Sequence, residues 1–401
     1  MSMHTNKLSA WRFIVWFGMV SLFADFVYEG ARSVTGPFMA HLGASALLVG
    51  IVTGAGEALA LAGRLATGPL VDRTRAYWPL AILGYLLTII SVPLLGAVTT
   101  ISAASVLIIA ERAGKAVRSP GKDVMLSHAT AGIGRGKGFA VHEALDQIGA
   151  VIGPLVVALV LLVTHNNYHW GFSVLALPGL VALVILIKLR AQVPDPSVYD
   201  RKADKQFALG IQNVSSFPKE FWTYLIFTFL ATAGFSTFGI LSYHLVKQHV
   251  VSTPLIPIIY ALTMGAAALM SVITGFLYDR IGRRSLFLVP LLSGLIPVLA
   301  FTNHALSAII GIILWGFVTG IQESTMRAAV ADIIPSNVRG TAYGIFALGF
   351  GIASLIGGAL VGYLYGKSLH SLYVAVIAVE AAALIFFLAT QIRTVSKNSQ
   401  P

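Results

Sequence analysis

GFLYDRIGRR at residues 275–284 repeats, in order and in chemical type, GPLVDRTRA at residues 68–76. Asp279 then matches Asp72, and Arg280 matches Arg73. Two further pairs keep nearly the same interval. Arg327 and Asp332 reproduce the spacing of Arg118 and Asp123, and RGTAY at 339–343 follows RGKGF at 135–139. Three coincidences at an interval of about 205 residues imply one architectural unit used twice in the same orientation.

Composition decides what kind of unit it is. The 401 residues are 57% hydrophobic and 11% charged, far more apolar than a water-facing exterior tolerates. A helix that crosses a bilayer needs about 20 mostly apolar residues. Twelve runs meet that need: 11–40, 46–71, 77–97, 102–124, 138–163, 169–190, 219–247, 255–278, 285–302, 305–331, 340–364 and 369–391. They are continuous rather than alternating, which argues against a barrel of short strands. The first run carries Asp25 and Glu29 and outlasts the apolar core of a leader peptide, so it reads as a retained helix. The expected fold is all-α and integral to the membrane, with twelve helices in two six-helix bundles, 1–190 and 219–401, related by a parallel pseudo-twofold repeat. The charged, proline-containing stretch 191–218 reads as a cytoplasmic linker.

Lysine and arginine gather at both termini and in every second loop, whereas the intervening loops offer little beyond Lys247 and Lys367. Both termini are therefore expected in the cytoplasm of a multi-pass cell-membrane protein. The formal charge of +11 is mostly this topology signal plus attraction to anionic lipid, and nucleic acid is not an expected partner. With no cysteine there is no disulfide or thiolate chemistry.

The G-x-L-x-D-R-x-G-R-R pattern, its looser first copy and the plan of two times six helices resemble the major facilitator superfamily of secondary transporters over essentially the whole chain. In that family the loop aspartate ties helices together at the cytoplasmic face and stabilises the outward-facing state. The resemblance implies such a gating role for Asp72 with Arg73, and for Asp279 with Arg280. The first copy departs from the pattern, with Arg75 and Ala76 where the family favours Gly and Arg. Arg112 followed by Gly114 resembles the family's buried arginine motif, which is linked to proton transfer. GAVIGP at 149–154 resembles the exporter signature G-x-x-x-G-P of the fifth helix, implying a gating role for Gly149, Gly153 and Pro154 and pointing to antiport. Leu155 and Val156 replace its trailing glycine pair.

The charges need their own account. ERAGKAVRSPGKD at 111–123 holds six ionisable side chains within an apolar chain. Glu111, Lys115, Arg118 and Lys122 recur at helical spacing and share one face. Facing lipid, each charge would cost several kcal/mol, so the face is expected to turn toward protein or water. Partners stand on other runs: Asp25, Tyr28, Glu29 and Arg32 on the first, Glu57 and Arg64 on the second, His142, Asp146 and the adjacent Glu143 on the fifth. Asp25, Glu29, Glu57, Arg112 and Asp146 are the expected proton-coupling groups, with Arg112 as the cation facing Asp25 and Glu29. Tyr28, Arg32, Glu111, Lys115, Arg118 and His142 are candidates for the substrate. Near the cytoplasmic end, snorkelling accounts equally for Arg118, Lys122 and Asp123.

The second half reads as nearly uncharged apart from His244, Glu323 and Arg327, and carries the aromatic run Phe227, Phe229, Phe235, Phe238 and Tyr243. Phe235, Tyr243 and Glu323 complete the substrate candidates, although such a run more often serves packing. GIGRGKG at 132–138 lacks the phosphate-loop spacing, and HEALD at 142–146 lacks the second histidine of a metal site. No catalytic residues, cofactor or metal are expected, and the chain is expected to act as a monomer. The favoured function is proton-coupled export of a small charged or amphipathic organic solute. Import by symport or uniport on the same fold, and a non-transporting membrane sensor or scaffold, are the alternatives.

Overall fold

The computed structural model describes residues 8–131, 133–200, 217–335 and 338–398; linker residues 201–216 lie outside the described residues. Among these the chain is all-helical, with no strand. The first half comprises α1 (Ala10–His41), α2 (Ala46–Ala62), α3 (Arg64–Thr74), α4 (Tyr77–Leu95), α5 (Ile101–Thr130), α6 (Arg135–Val163), α7 (Tyr168–Ser173) and α8 (Ala176–Gln192). The second comprises α9 (Lys219–Ala233), α10 (Phe238–Lys247), α11 (Leu255–Ile281), α12 (Leu288–Ala300), α13 (Ala305–Glu323), α14 (Thr325–Ile333), α15 (Arg339–Lys367) and α16 (Leu369–Asn398).

Among the described residues ten segments are long and apolar enough to cross a membrane, where the sequence suggested twelve. The difference falls at two places. Leu255–Ala300 counts once yet contains α11 and α12 separated by a 3₁₀ turn at Gly282–Phe287, and α5 is too charged to qualify by hydropathy although it is 30 residues long.

Several runs expected to be continuous are broken. The run 219–247 stops at Gly234 and resumes at Phe238, because glycine and the following Ser-Thr pair hold the helix weakly. The break is tolerated in an apolar setting because the freed Ser236 carbonyl accepts Trp315 Nε1–H at 2.7 Å. The run 305–331 bends at Ser324, whose hydroxyl donates to the Gly320 carbonyl at 2.7 Å.

The repeated loop shows why the second copy carries glycine. Gly282 has φ +62°, and its counterpart Arg75 has φ +53°. With ψ +22° Arg75 is in the left-handed helical region, where a side chain costs about 1–2 kcal/mol, whereas Gly282 has ψ −148°, a conformation essentially confined to glycine. Arg75→Gly is therefore expected to raise the thermal midpoint slightly, the relief of strain being partly offset by the freedom glycine gains when unfolded; a lowered midpoint in a thermal melt would contradict this.

The described helices form two compact units, residues 1–32 with 62–210, and 33–61 with 211–401. In the first, Phe13, Phe17, Trp78, Tyr85, Met125 and Leu186 belong to one buried cluster. Trp78 Nε1–H donates to the Val193 carbonyl at 3.0 Å. Tyr199 donates to the Leu8 carbonyl at 2.7 Å, and burial pushes its phenol up to about 12, so it remains a donor at neutral pH.

In the second unit α2 lies on α15 almost backbone to backbone. Ala46, Gly50, Gly54 and Ala58, spaced four apart, meet Gly362, Gly358, Ser354 and Gly351, the small-residue stripe that lets membrane helices approach closely. Phe227 packs on Phe387 at 4.7 Å between centroids, and Phe235 stacks on Trp315 at 5.8 Å.

Candidate functional site

The α6 stripe Leu145, Gly149 and Gly153 lies on the α1 stripe Gly18, Leu22, Phe26 and Gly30. A Cβ at Gly149 would stand 2.9 Å from the Leu22 carbonyl carbon, and one at Gly153 would stand 2.9 Å from that of Phe26. Glycine is what permits this approach. It directs the neighbouring α1 stripe, Ser21, Asp25, Tyr28, Glu29 and Arg32, toward the charged face of α5 and the start of α6.

The result is a ladder of polar pairs climbing α1 over about 16 Å. At its foot, His142 Nε2 lies 3.2 Å from the Ser21 hydroxyl and 3.6 Å from Asp146, which also faces Lys122 Nζ at 3.7 Å. One rung up, Asp25 Oδ1 faces Arg118 at 3.8 Å. Arg118 also donates to the Thr88 hydroxyl at 2.9 Å and covers the Tyr85 ring at 4.9 Å. At the top three cations converge on Tyr28. Arg112 Nη1 donates to its phenol oxygen, as do Lys115 Nζ at 3.2 Å and Arg32 Nη1 at 3.3 Å. The Lys115 ammonium and the Arg112 guanidinium sit 4.3 and 4.6 Å from the ring centroid. Glu29 faces Arg32 at 3.8 Å and Glu111 faces Arg112 Nε at 3.2 Å. Glu29, Glu111, Arg112, Arg118, His142 and Asp146 are all buried.

The model of the Major Facilitator Superfamily matches residues 17–249 and 224–401. The chain belongs to the Major Facilitator Superfamily. An uncharacterized protein of Mycobacterium tuberculosis (strain H37Rv) is 50% identical over 394 residues, covering 98% of this chain and 96% of that one. An uncharacterized MFS-type transporter of Methanocaldococcus jannaschii is 26% identical over 382 residues, covering 92% and 93%. Among solved structures, nucleoside transporter NupG aligns with a TM-score of 0.76 at 14% identity over 94% of this chain and 98% of its own. A peptide transporter of the POT type aligns at 0.72 and 14%, over 96% and 94%. The likeness to the solved structures establishes the fold, and membership of the superfamily points to a transporter.

Ten of the sequence-derived candidates come together in this superfamily member's first unit: Asp25, Tyr28, Glu29, Arg32, Glu111, Arg112, Lys115, Arg118, His142 and Asp146. The pairing departs from expectation in one respect. Arg118, rather than Arg112, faces Asp25, because Arg112 is drawn to Glu111 and Tyr28. Snorkelling does not describe Arg118 or Lys122, which are paired inside the unit, whereas Asp123 is exposed. Glu57, Phe235, Tyr243 and Glu323 lie in the second unit. There Tyr243 donates to the Ala44 carbonyl at 3.1 Å and its ring meets Tyr365. His244, fully buried, lies 3.0 Å from the Tyr365 hydroxyl and 3.2 Å from the Thr302 carbonyl. Asp279 and Arg280 are exposed. Beside them Tyr278, which the sequence did not single out, donates to Asp332 at 2.5 Å.

The second unit is not free of buried charge. Glu380, overlooked in the sequence, is 2% exposed in the middle of α16. The signal was available, since Glu380 is the one Asp, Glu, Lys or Arg between Leu369 and Thr390, and a carboxylate in the middle of a spanning helix marks function by default.

Proposed function

We propose that the protein is a proton-coupled secondary transporter of twelve spans with cytoplasmic termini, exporting a small charged or amphipathic organic solute by alternating access. The observation that supports this is the ladder along α1. A buried carboxylate exchanges a proton when its distance to a cation changes, because the cation favours the ionised form and burial the neutral one. Asp25 on α1 has its cation on another helix, Arg118 of α5 at 3.8 Å, a distance that a modest helix movement lengthens or shortens. Glu29 is instead paired at 3.8 Å with Arg32 one turn along α1 itself and exchanges its proton only when that side chain turns to another acceptor. The convergence of Arg32, Arg112 and Lys115 on one phenol oxygen favours a solute with a carboxylate or phosphate group, whose oxygens would accept from the same donors. Asp72 with Arg73, and Asp279 with Arg280, keep the gating role implied by the family motif, and the exporter-type glycines favour antiport.

In proteoliposomes, Glu29→Gln and Asp25→Asn are each expected to fold and bind solute but to lose accumulation driven by an imposed pH gradient. Solute exchange without net proton movement should survive in at least one of them. If both variants still concentrate solute on the gradient, the coupling assignment fails and passes to Glu57, Glu143 and Asp146.

A further inference from the structure

Glu380 lies outside everything the ladder explains. Both of its carboxyl oxygens are buried and lack a hydrogen-bond partner among the described residues. Its carboxyl group rests against Gly234 and its Cβ against Gly294: a Cβ at Gly234 would stand 2.9 Å from the Glu380 carboxyl carbon, and one at Gly294 would stand 3.7 Å from the Glu380 Cβ. The space for this carboxyl exists because position 234 has no side chain. That position is also where α9 ends and the backbone leaves helical form before α10 begins.

Among the described residues, the elements packed against α16 bring no cation to the group's level. Packed against α16 are α9, α12, α15 and the turn 282–287. α12 has no ionisable side chain. α9 carries Lys219, Glu220 and Tyr224 within its first six residues, a helix length away from Gly234. α15 carries Arg339 and Tyr343 near one end and Tyr363, Tyr365 and Lys367 near the other. The turn contributes Arg283 and Arg284, and on α16 itself His370, Tyr373, Arg393 and Lys397 lie about 10 Å or more along the helix. The carboxyl rests on Gly234, the residue that ends α9, where the last carbonyls of that helix carry partial negative charge and disfavour an anion. A carboxylate in such surroundings becomes neutral rather than remaining ionised.

We propose that Glu380 is a second proton-binding site, built at the α9–α10 break and separate from the ladder on α1. Its proton leaves when the break moves and admits water or a backbone N–H to the carboxyl, so the break is where this proton is coupled to motion. Ser293, Thr232 and Ser236, whose buried hydroxyls lack partners among the described residues, lie within two residues of the two glycines and make sodium the competing occupant.

The test uses the full chain in lipid and needs no transported solute, so it stands independently of the coupling scheme above. The infrared carbonyl stretch of protonated carboxyl groups should lose intensity in Glu380→Gln relative to the unsubstituted protein at neutral pH. Dicyclohexylcarbodiimide, an apolar reagent, takes up the carboxyl proton on nitrogen while the carboxyl oxygen adds to its central carbon. Mass spectrometry should place this adduct on Glu380, with labelling slowing about tenfold per pH unit once the group ionises, and equally in sodium and potassium salts. An unchanged carbonyl band in a folded Glu380→Gln protein would overturn the proposal. So would labelling suppressed by sodium at constant pH, which would make this a sodium site.

Discussion

Gly358→Leu is expected to leave the protein folded but unable to hold residues 46–58 against α15. At this contact the two helices meet through backbone: a Cβ at Gly358 would stand 3.2 Å from the Gly50 carbonyl carbon, and one at Gly54 would stand 2.7 Å from the Ser354 carbonyl oxygen. No side-chain rotamer relieves such a clash, since its partners are main-chain atoms. Overpacking costs about 1–3 kcal/mol, which corresponds to a roughly 5–150-fold shift between states that close and open the contact. The absence of cysteine makes the readout direct. A single cysteine at Ala46 should react with a membrane-impermeant maleimide much faster in the Gly358→Leu background than without it. Equal rates would mean that the glycine stripe does not hold the contact closed. Residues 46–58 belong by sequence to the first repeat but pack with the second, so the contact joins what duplication made separate, and its lack of interlocking side chains suits a surface that parts and rejoins.

How much of this was legible beforehand depends on whether a feature is written in one segment or in the meeting of several. The repeat at 68–76 and 275–284 and the apolar runs are local, and they revealed the membrane-spanning, duplicated plan. The helical spacing of Glu111, Lys115, Arg118 and Lys122 is also local, and correctly implied an inward face. Partners were less readable, because helical period gives a direction and not a depth. Asp25 meets Arg118 rather than Arg112 because Arg112 is held by Glu111 and Tyr28. The breaks at Gly234 and Ser324 were obscured by unbroken hydropathy, which registers side chains and is blind to backbone direction. Glu380 was hidden differently, being one polar letter in an apolar run that appeared already explained.

Arg118→Met should destabilise the protein by about 2–4 kcal/mol, measured by unfolding in mixed detergent, whereas the double variant Arg118→Met/Asp25→Asn should recover a large part of that loss. Arg118 does three things at once: it faces Asp25 at 3.8 Å, donates to Thr88 at 2.9 Å and covers the Tyr85 ring at 4.9 Å. Removing one member of a buried pair leaves the other charge uncompensated, which costs about 3–5 kcal/mol when burial is complete. Asp25 keeps 25% of its side chain exposed, so water softens the penalty and brings the expected loss down to about 2–4 kcal/mol. Neutralising Asp25 as well removes the stranded charge, leaving the smaller losses at Thr88 and Tyr85. The two substitutions should therefore be strongly non-additive, with a coupling of roughly 1–3 kcal/mol. Additive losses would mean that Arg118 acts mainly through Thr88 and Tyr85. A strong coupling would instead identify the Asp25–Arg118 rung as an ion pair whose opening has an energetic consequence, the property that a carboxylate exchanging its cation for a proton requires.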